Sequence, residues 1–125
     1  MSKGEIAKQN FESGLNCAQA VVLAFKDQMN MDEQTLKKLI IGFGGGFGRQ
    51  RLVCGAVCGM TMVLSYLKSD GNDKLAAYAV IKHACDDVKN RLGSLTCSEL
   101  KEMAKIPCGE ICKIVADITE EYLNA

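Results

Sequence analysis

Residues 54–67 read Cys-Gly-Ala-Val-Cys-Gly-Met-Thr-Met-Val-Leu-Ser-Tyr-Leu, which is the most apolar stretch of the chain. Thr61 and Ser65 interrupt it, and it is shorter than the about 20 apolar residues that a membrane-spanning helix needs. An apolar helix of this kind is buried by its neighbours in a folded protein. We therefore expect this stretch to form a buried central helix, and we expect no membrane association.

Helical patterns flank this stretch on both sides. On the N-terminal side, a pattern from Lys3 to Asn30 breaks at Gly14, and another helix runs from about Asp32 to Ile41. On the C-terminal side, a helix runs from about Asp73 to Leu92, and an amphipathic helix follows Pro107. The patterns show no strand alternation, internal repeat or linker.

This organisation predicts an all-α fold, a compact single-domain bundle of five or six helices over residues 1–125. The composition is that of a soluble globular protein, with 48% hydrophobic and 24% charged residues. The chain carries 15 basic and 15 acidic side chains, so it lacks the basic excess with which proteins neutralise phosphates. We therefore expect no nucleic-acid partner.

The cysteine content points to redox or metal chemistry. The N-terminal residues are charged from Lys3 onward and lack the apolar core of a signal peptide, so we expect a cytoplasmic protein. Disulfide frameworks are rare in that reducing compartment, and the odd number of seven cysteines also argues against one. Metal ligation or redox catalysis is therefore the predicted use of these thiols.

Three cysteines fall where helices are predicted to begin. Cys17 follows the candidate N-cap Asn16, Cys97 follows the candidate N-cap Thr96, and Cys54 opens the central helix. The free backbone N–H groups and the positive end of the helix dipole favour a thiolate there, which lowers a cysteine pKa below its usual ~8.5. Since thiolates ligate metals and attack disulfides, these positions are candidate site residues.

The other cysteines have simpler explanations or remain open. Cys85 is expected in the core, because it belongs to an apolar stripe of its helix. That stripe contains Leu75, Tyr78, Ile81, Cys85, Val88 and Leu92. Cys58 suits close packing between helices, whereas Cys108 and Cys112 are four residues apart and share a helix face. Spacing leaves open which of Cys58, Cys108 and Cys112 joins the site.

A glycine-rich segment precedes the central helix. Residues 42–48 read Gly-Phe-Gly-Gly-Gly-Phe-Gly, a density that no regular element tolerates easily, and no nucleotide-binding fingerprint fits it. We predict that Gly44, Gly45 and Gly46 bring backbone N–H groups to the cysteine sulfurs and that Arg49 and Arg51 add positive potential. The alternative is a tight loop with solvated arginines.

The central helix begins with a motif, Cys-Gly-Ala-x-x-Gly, from Cys54 to Gly59. Separate cysteine segments lie before and after it, at Leu15-Asn16-Cys17-Ala18 and at Gly93-Ser94-Leu95-Thr96-Cys97. With these features the chain resembles, over nearly its whole length, the C-GCAxxG-C-C family of redox-active proteins.

The resemblance implies a helical protein with a redox role and four family cysteines, Cys17, Cys54, Cys97 and Cys112. It extends to the non-haem part of split-Soret cytochromes, in which an iron–sulfur cluster is associated with cysteines. Our leading hypothesis is therefore an iron–sulfur cluster, of the two-iron type, bound by these four residues for electron transfer or redox sensing.

Three alternatives remain at this point. One is a metal-free thiol–disulfide oxidoreductase with Cys54 as nucleophile and Cys17 as the second catalytic cysteine. Another is a four-cysteine zinc site, and the last is a plain helical interaction module. The expected partner is an unidentified redox protein, with a homodimer as a further arrangement. The sequence specifies no substrate.

Overall fold

A computed structural model describes all residues from Met1 to Ala125. The fold is all-α, as predicted, and contains no β-strand. Its eight α-helices are α1 (Lys3–Glu12), α2 (Cys17–Ala24), α3 (Lys26–Met29), α4 (Glu33–Ile40), α5 (Gly44–Phe47), α6 (Gly55–Lys68), α7 (Lys74–Leu92) and α8 (Cys108–Asn124). A 3₁₀ turn at Ile41–Phe43 and a π-helical turn at Glu99–Met103 complete the regular structure. None of the helices combines the length and the apolar character that crossing a membrane requires.

The number of helices corrects the prediction of five or six. Two of the eight, α3 and α5, have only four residues each. Helix α3 follows a break at Phe25 and ends at Asn30, which adopts a left-handed conformation with φ 52°. A single turn of helix is too short to show an apolar period of its own, so periodicity does not detect such segments.

The hydrophobic core lies among α1, α2, α6 and α8. Helix α2 is almost wholly buried, and α6 packs against it with Met60, Val63 and Leu64 buried. The two helices approach closely at Gly59, where a Cβ atom would lie 2.9 Å from the carbonyl oxygen of Ala18. The predicted burial of the central helix is therefore confirmed.

Helix α7 buries only the C-terminal part of its predicted apolar stripe. Val88 and Leu92 are buried, whereas Leu75 is 73% exposed and Tyr78 is 62% exposed. The apolar stripe that the sequence predicts is thus exposed to solvent in the first turns of this helix. Periodicity shows which residues share a face, but it does not show whether a neighbouring element covers that face.

Candidate functional site

A cavity of about 250 Å³ brings together cysteines from four separate parts of the chain. These are Cys17, Cys54, Cys97 and Cys108. The lining also contains three cations, Arg49, Arg51 and Lys101, and no carboxylate. The cavity is therefore rich in sulfur and electropositive, an environment that favours thiolates.

Cys17 is the first residue of α2, and the local sequence explains its position. Asn16 caps the helix in a reciprocal capping box with Gln19, and its Nδ2 donates to the carbonyl oxygen of Ile41 at 2.9 Å. The pKa of Cys17 is lowered from 9.0 to about 6, chiefly by a hydrogen bond from the Cys54 thiol and further by backbone N–H groups that include that of Gly45. Burial opposes this shift but does not cancel it.

Cys54 is the N-cap residue of α6 and is buried. Its pKa is raised, because its thiol donates to Cys17 and because it is desolvated, although the backbone N–H groups of Ala56 and Val57 act in the opposite direction. The two cysteines thus form a thiolate and thiol pair, with the thiolate on Cys17 and the proton on Cys54. A proton shared in this way is expected when two acidic groups are in contact in a low dielectric.

Cys97 is positioned by the segment that precedes α6. Its backbone N–H donates to the carbonyl oxygen of Leu52 at 2.6 Å, and the N–H of Cys54 donates to the carbonyl oxygen of Leu95 at 2.8 Å. The Nη1 atom of Arg51 lies 3.6 Å from the Cys97 sulfur and donates to it. Two distant cysteines are therefore held together by backbone hydrogen bonds, and one of them has a cationic partner.

The two cysteines of α8 have different surroundings. Cys108, the first residue of the helix, is half-buried and lines the cavity. Cys112 is fully buried and does not line it, and its sulfur faces the carbonyl oxygen of Cys17 at 3.9 Å. Burial raises the pKa of the Cys112 thiol. Of the four cysteines expected at the site, Cys112 is the only one that does not line the cavity.

The remaining two cysteines lie away from the cavity. Cys58 is half-buried on α6, where burial raises its pKa to about 11, and it lines a separate apolar groove. Cys85 is half-buried on α7, and burial raises its pKa as well.

The glycine segment forms part of the cavity wall. Gly45 and Gly46 have positive φ values of 67° and 72°, and the backbone N–H of Gly45 hydrogen-bonds to Cys17. Gly45 lines the cavity, whereas Gly44 packs against the Asn16 side chain and Gly46 against the backbone at Leu52. Of the predicted glycine contacts, only that of Gly45 reaches a sulfur.

Lys101 is a cavity residue that the sequence analysis did not single out. It lies four residues after Cys97, a spacing that a helical segment places on one face. Because a helix was predicted to begin at Cys97, this spacing could have identified Lys101 as a residue on the same helix face as Cys97.

The cysteines share a cavity but are not close enough to surround a single ion. No group of three or more histidine, cysteine, aspartate or glutamate side chains has the geometry to hold a metal ion. The arrangement is a cavity with sulfur on several walls.

A protein-family model covers most of the chain. The model described as "Putative redox-active protein (C_GCAxxG_C_C)" matches residues 15–122. The chain belongs to this family. The match to the C_GCAxxG_C_C family includes every cysteine of the chain, so it does not choose between Cys108 and Cys112. No curated protein and no solved structure matches the chain.

Membership of the C_GCAxxG_C_C family gives the protein a redox-active class and names no cofactor or substrate. Cys17, Cys54 and Cys97, which the sequence analysis assigned as family cysteines, all line the cavity. Three of the four family cysteines that the sequence predicts therefore lie in the electropositive cavity.

Proposed function

We propose that the cavity binds an iron–sulfur cluster of the two-iron type and that the protein serves in electron transfer or redox sensing. The observation that carries the proposal is the convergence of Cys17, Cys54, Cys97 and Cys108 on one cavity. Four thiolates are the usual complement of such a cluster. When bound, the cluster would supply one-electron oxidation and reduction.

The ligand set in this proposal contains Cys108 in place of Cys112. Cys108 lines the cavity, whereas the sulfur of Cys112 faces the carbonyl oxygen of Cys17 within the core. The proposed ligands are therefore Cys17, Cys54, Cys97 and Cys108.

The charges around the cavity suit an anionic group. Four thiolates bring a large negative charge, and Arg49, Arg51 and Lys101 lie in the lining to offset it. Arg51 also donates directly to the Cys97 sulfur. Hydrogen bonds and positive charge at ligating sulfurs raise the reduction potential of a cluster, so these side chains would set the potential.

Several cavity residues have a defined role in this proposal. The Cys17 thiolate is available at neutral pH, whereas Cys54 must release the proton that it donates to Cys17 before it can ligate. The Gly45 N–H stabilises the charge on Cys17. Phe11 and Ile111 supply apolar walls that limit the access of water. The predicted cytoplasmic location would keep the thiols reduced until they ligate.

A zinc site with four cysteines is less well supported. It would need four sulfurs about 2.3 Å from one point. Because no three donors are grouped around such a point, zinc binding would require the walls of the cavity to move together.

A metal-free thiol oxidoreductase is the second candidate, and the contact between Cys17 and Cys54 favours it. Cys17 would attack a substrate disulfide and release one thiolate, and Cys54 would then attack the resulting mixed disulfide. The substrate leaves as two thiols, and the protein holds a Cys17–Cys54 disulfide. Cys17 is the nucleophile here, because its pKa is the one that is lowered. This reverses the roles expected from the sequence.

Iron analysis of cysteine variants prepared anaerobically tests the cluster proposal. Cys97→Ala should lose most of the bound iron, whereas Cys85→Ala, on α7 outside the cavity, should retain it. Equal iron in both variants would contradict the proposal. Titration of thiols before and after mild oxidation examines the second candidate, which requires the reversible loss of the Cys17 and Cys54 thiols together.

A further inference from the structure

The cysteine cavity has its sulfurs on the inside and its cations at the opening. Cys54 and Cys97 are only 4% and 5% exposed, and Cys17 is half-buried. The three cations of the lining are all exposed to solvent. A molecule that enters the cavity therefore passes the cations before it reaches a sulfur.

The cations at the opening are available to an anion. None of Arg49, Arg51 and Lys101 forms an ion pair with a carboxylate. Arg51 donates to the Cys97 sulfur, which leaves Arg49 and Lys101 without a partner. The charge of Glu102 acts on Arg51, but Glu102 does not line the cavity. Arginine recognises carboxylates through paired hydrogen bonds, so the opening suits a ligand that carries carboxylate groups.

The turn that carries the two arginines is held in place by the glycine segment. Arg49 and Arg51 have positive φ values of 67° and 62°, which are uncommon for residues with a side chain. The backbone N–H of Arg49 donates to the carbonyl oxygen of Gly44 at 3.3 Å. That of Arg51 donates to the carbonyl oxygen of Gly45 at 3.1 Å. Backbone strain of this kind is concentrated at functional sites, and here it fixes where both guanidinium groups begin.

The size of the cavity limits its ligand to a small molecule. Its volume of about 250 Å³ lies below the range of about 300–1,000 Å³ that is usual for ligand pockets. A disulfide on the surface of a folded protein would have to reach sulfurs that are almost fully buried, whereas a small disulfide can enter. Size and charge together therefore favour a small anionic ligand.

We propose that the cavity accepts a low-molecular-weight disulfide that carries carboxylate groups, with its sulfurs against Cys17 and its carboxylates on Arg49 and Lys101. The inference rests on the thiol–disulfide exchange described above as the second candidate function, and it names the substrate class of that reaction. It concerns the reduced protein before any cluster binds.

The reaction balances without a further reactant. The Cys17 thiolate attacks one sulfur of the ligand, the S–S bond of the ligand breaks, and one carboxylate-bearing thiolate leaves. Cys54 then attacks the Cys17 sulfur, and the second thiolate leaves with the proton of Cys54. Two electrons have passed to the ligand, and the protein holds the Cys17–Cys54 disulfide.

Three small disulfides of similar length test the substrate class on reduced, metal-free protein. Dithiodipropionate is a dianion, bis(hydroxyethyl) disulfide is neutral and cystamine is a dication. The rate at which each modifies Cys17 is divided by its rate with free mercaptoethanol, which removes differences in intrinsic reactivity. On this relative scale we expect the dianion to react about tenfold faster than the dication, and the difference to shrink as salt is added.

Variants of the cations locate the effect. Arg49→Gln and Lys101→Gln should each lower the relative rate of dithiodipropionate about threefold and leave that of the neutral disulfide within about twofold. Lys74→Gln removes the same charge on α7, outside the cavity, and should alter neither rate. Equal relative rates for the three disulfides with the wild type, or the same loss in Lys74→Gln, would overturn the proposed substrate class.

Suberate separates this inference from the exchange reaction itself. It has the length and the two carboxylates of dithiodipropionate but methylene groups in place of the sulfurs, so it can bind but cannot exchange. It should slow the alkylation of Cys17 by iodoacetamide, whereas octanediol should not. Protection by suberate without exchange would refute the second candidate function and support the ligand class. Exchange without protection and without a preference for the dianion would refute the ligand class alone, and the absence of both would overturn both.

Discussion

At the scale of single residues, the contact between Cys17 and Cys54 determines which thiol is reactive. Both cysteines sit at helix N-termini, so a rule based on helix dipoles alone would lower both pKa values. The structure lowers the pKa of Cys17 and raises that of Cys54, because one proton is shared between them and Cys54 is desolvated. The sequence predicted that a cysteine lies at the start of each of these helices. It did not predict which of the two thiols donates the hydrogen bond and which one accepts it.

Alkylation of reduced, metal-free protein should reveal this asymmetry. Only the thiolate reacts, so the reaction of Cys17 with iodoacetamide should rise with pH around a midpoint of about 6 and slow as pH falls below it. Cys54→Ala removes the donor and should move the midpoint up toward 9.0. Peptide-resolved mass spectrometry measures both midpoints. Cys85→Ala is the control and should leave the Cys17 midpoint unchanged. A wild-type midpoint near 9.0 would refute the assignment of the thiolate to Cys17.

The two cysteines of α8 allow a matched test of the ligand set. Cys108→Ala removes a sulfur from the cavity, whereas Cys112→Ala removes one from the core, so we expect only the first to lower the iron content strongly. Iron per folded chain is the measurement, with circular dichroism as the check on folding. If Cys112→Ala loses the iron and Cys108→Ala keeps it, the family assignment of Cys112 was correct and ours is wrong.

At the scale of secondary-structure elements, close packing around the cysteines explains the glycines of the motif. A Cβ atom on Gly55 would lie 2.5 Å from the Cys17 sulfur and 3.0 Å from the carbonyl oxygen of Phe43. The glycine therefore lets the start of α6 approach the start of α2. The motif could be recognised from the sequence, but this contact between distant segments could not.

Replacing Gly55 by alanine should disturb both the fold and the cysteine pair. We expect Gly55→Ala to lower the free energy of unfolding by about 1–3 kcal/mol, the usual cost of overpacking. It should also shift the alkylation midpoint of Cys17, because the added methyl group displaces that sulfur. Gly109→Ala is the control, since the nearest atom to its Cβ is 3.7 Å away. Urea unfolding with equal losses for both variants would contradict this account.

The helical elements also show where sequence patterns stop being informative. The cap at Asn16, the helix start after Cys54 and the helix after Pro107 follow from local chemistry and were predicted. The bridge between Val53 and Thr96 was not, because it pairs segments far apart in the sequence. The sequence could not decide between Cys108 and Cys112 for a similar reason, because the decision depends on which segments of the fold face each turn of α8.

At the scale of the whole molecule, α7 shows that an apolar sequence pattern can extend beyond the part of a helix that packs in the core. Leu92 is 5% exposed and Leu75 is 73% exposed, although both belong to the same sequence stripe. Leu92→Ala should lower the free energy of unfolding by about 2–4 kcal/mol, whereas Leu75→Ala should change it by less than about 0.5 kcal/mol. Chemical denaturation measures both, and equal losses would show that α7 packs along its entire length.

The molecule as a whole contains a sulfur-rich cavity lined by three cations and a separate apolar groove. The segment of residues 43–53 contributes to the lining of both. Composition alone did not reveal this organisation, because Arg49, Arg51 and Lys101 meet at one cavity only in the folded chain.

The most direct test of the central claim is the iron and acid-labile sulfide content of the wild-type protein, prepared anaerobically from iron-replete cells. The four cavity cysteines predict about two iron atoms and two sulfides per chain, with the absorption of a thiolate-bound cluster. Colourless protein that contains neither iron nor sulfide would contradict the claim.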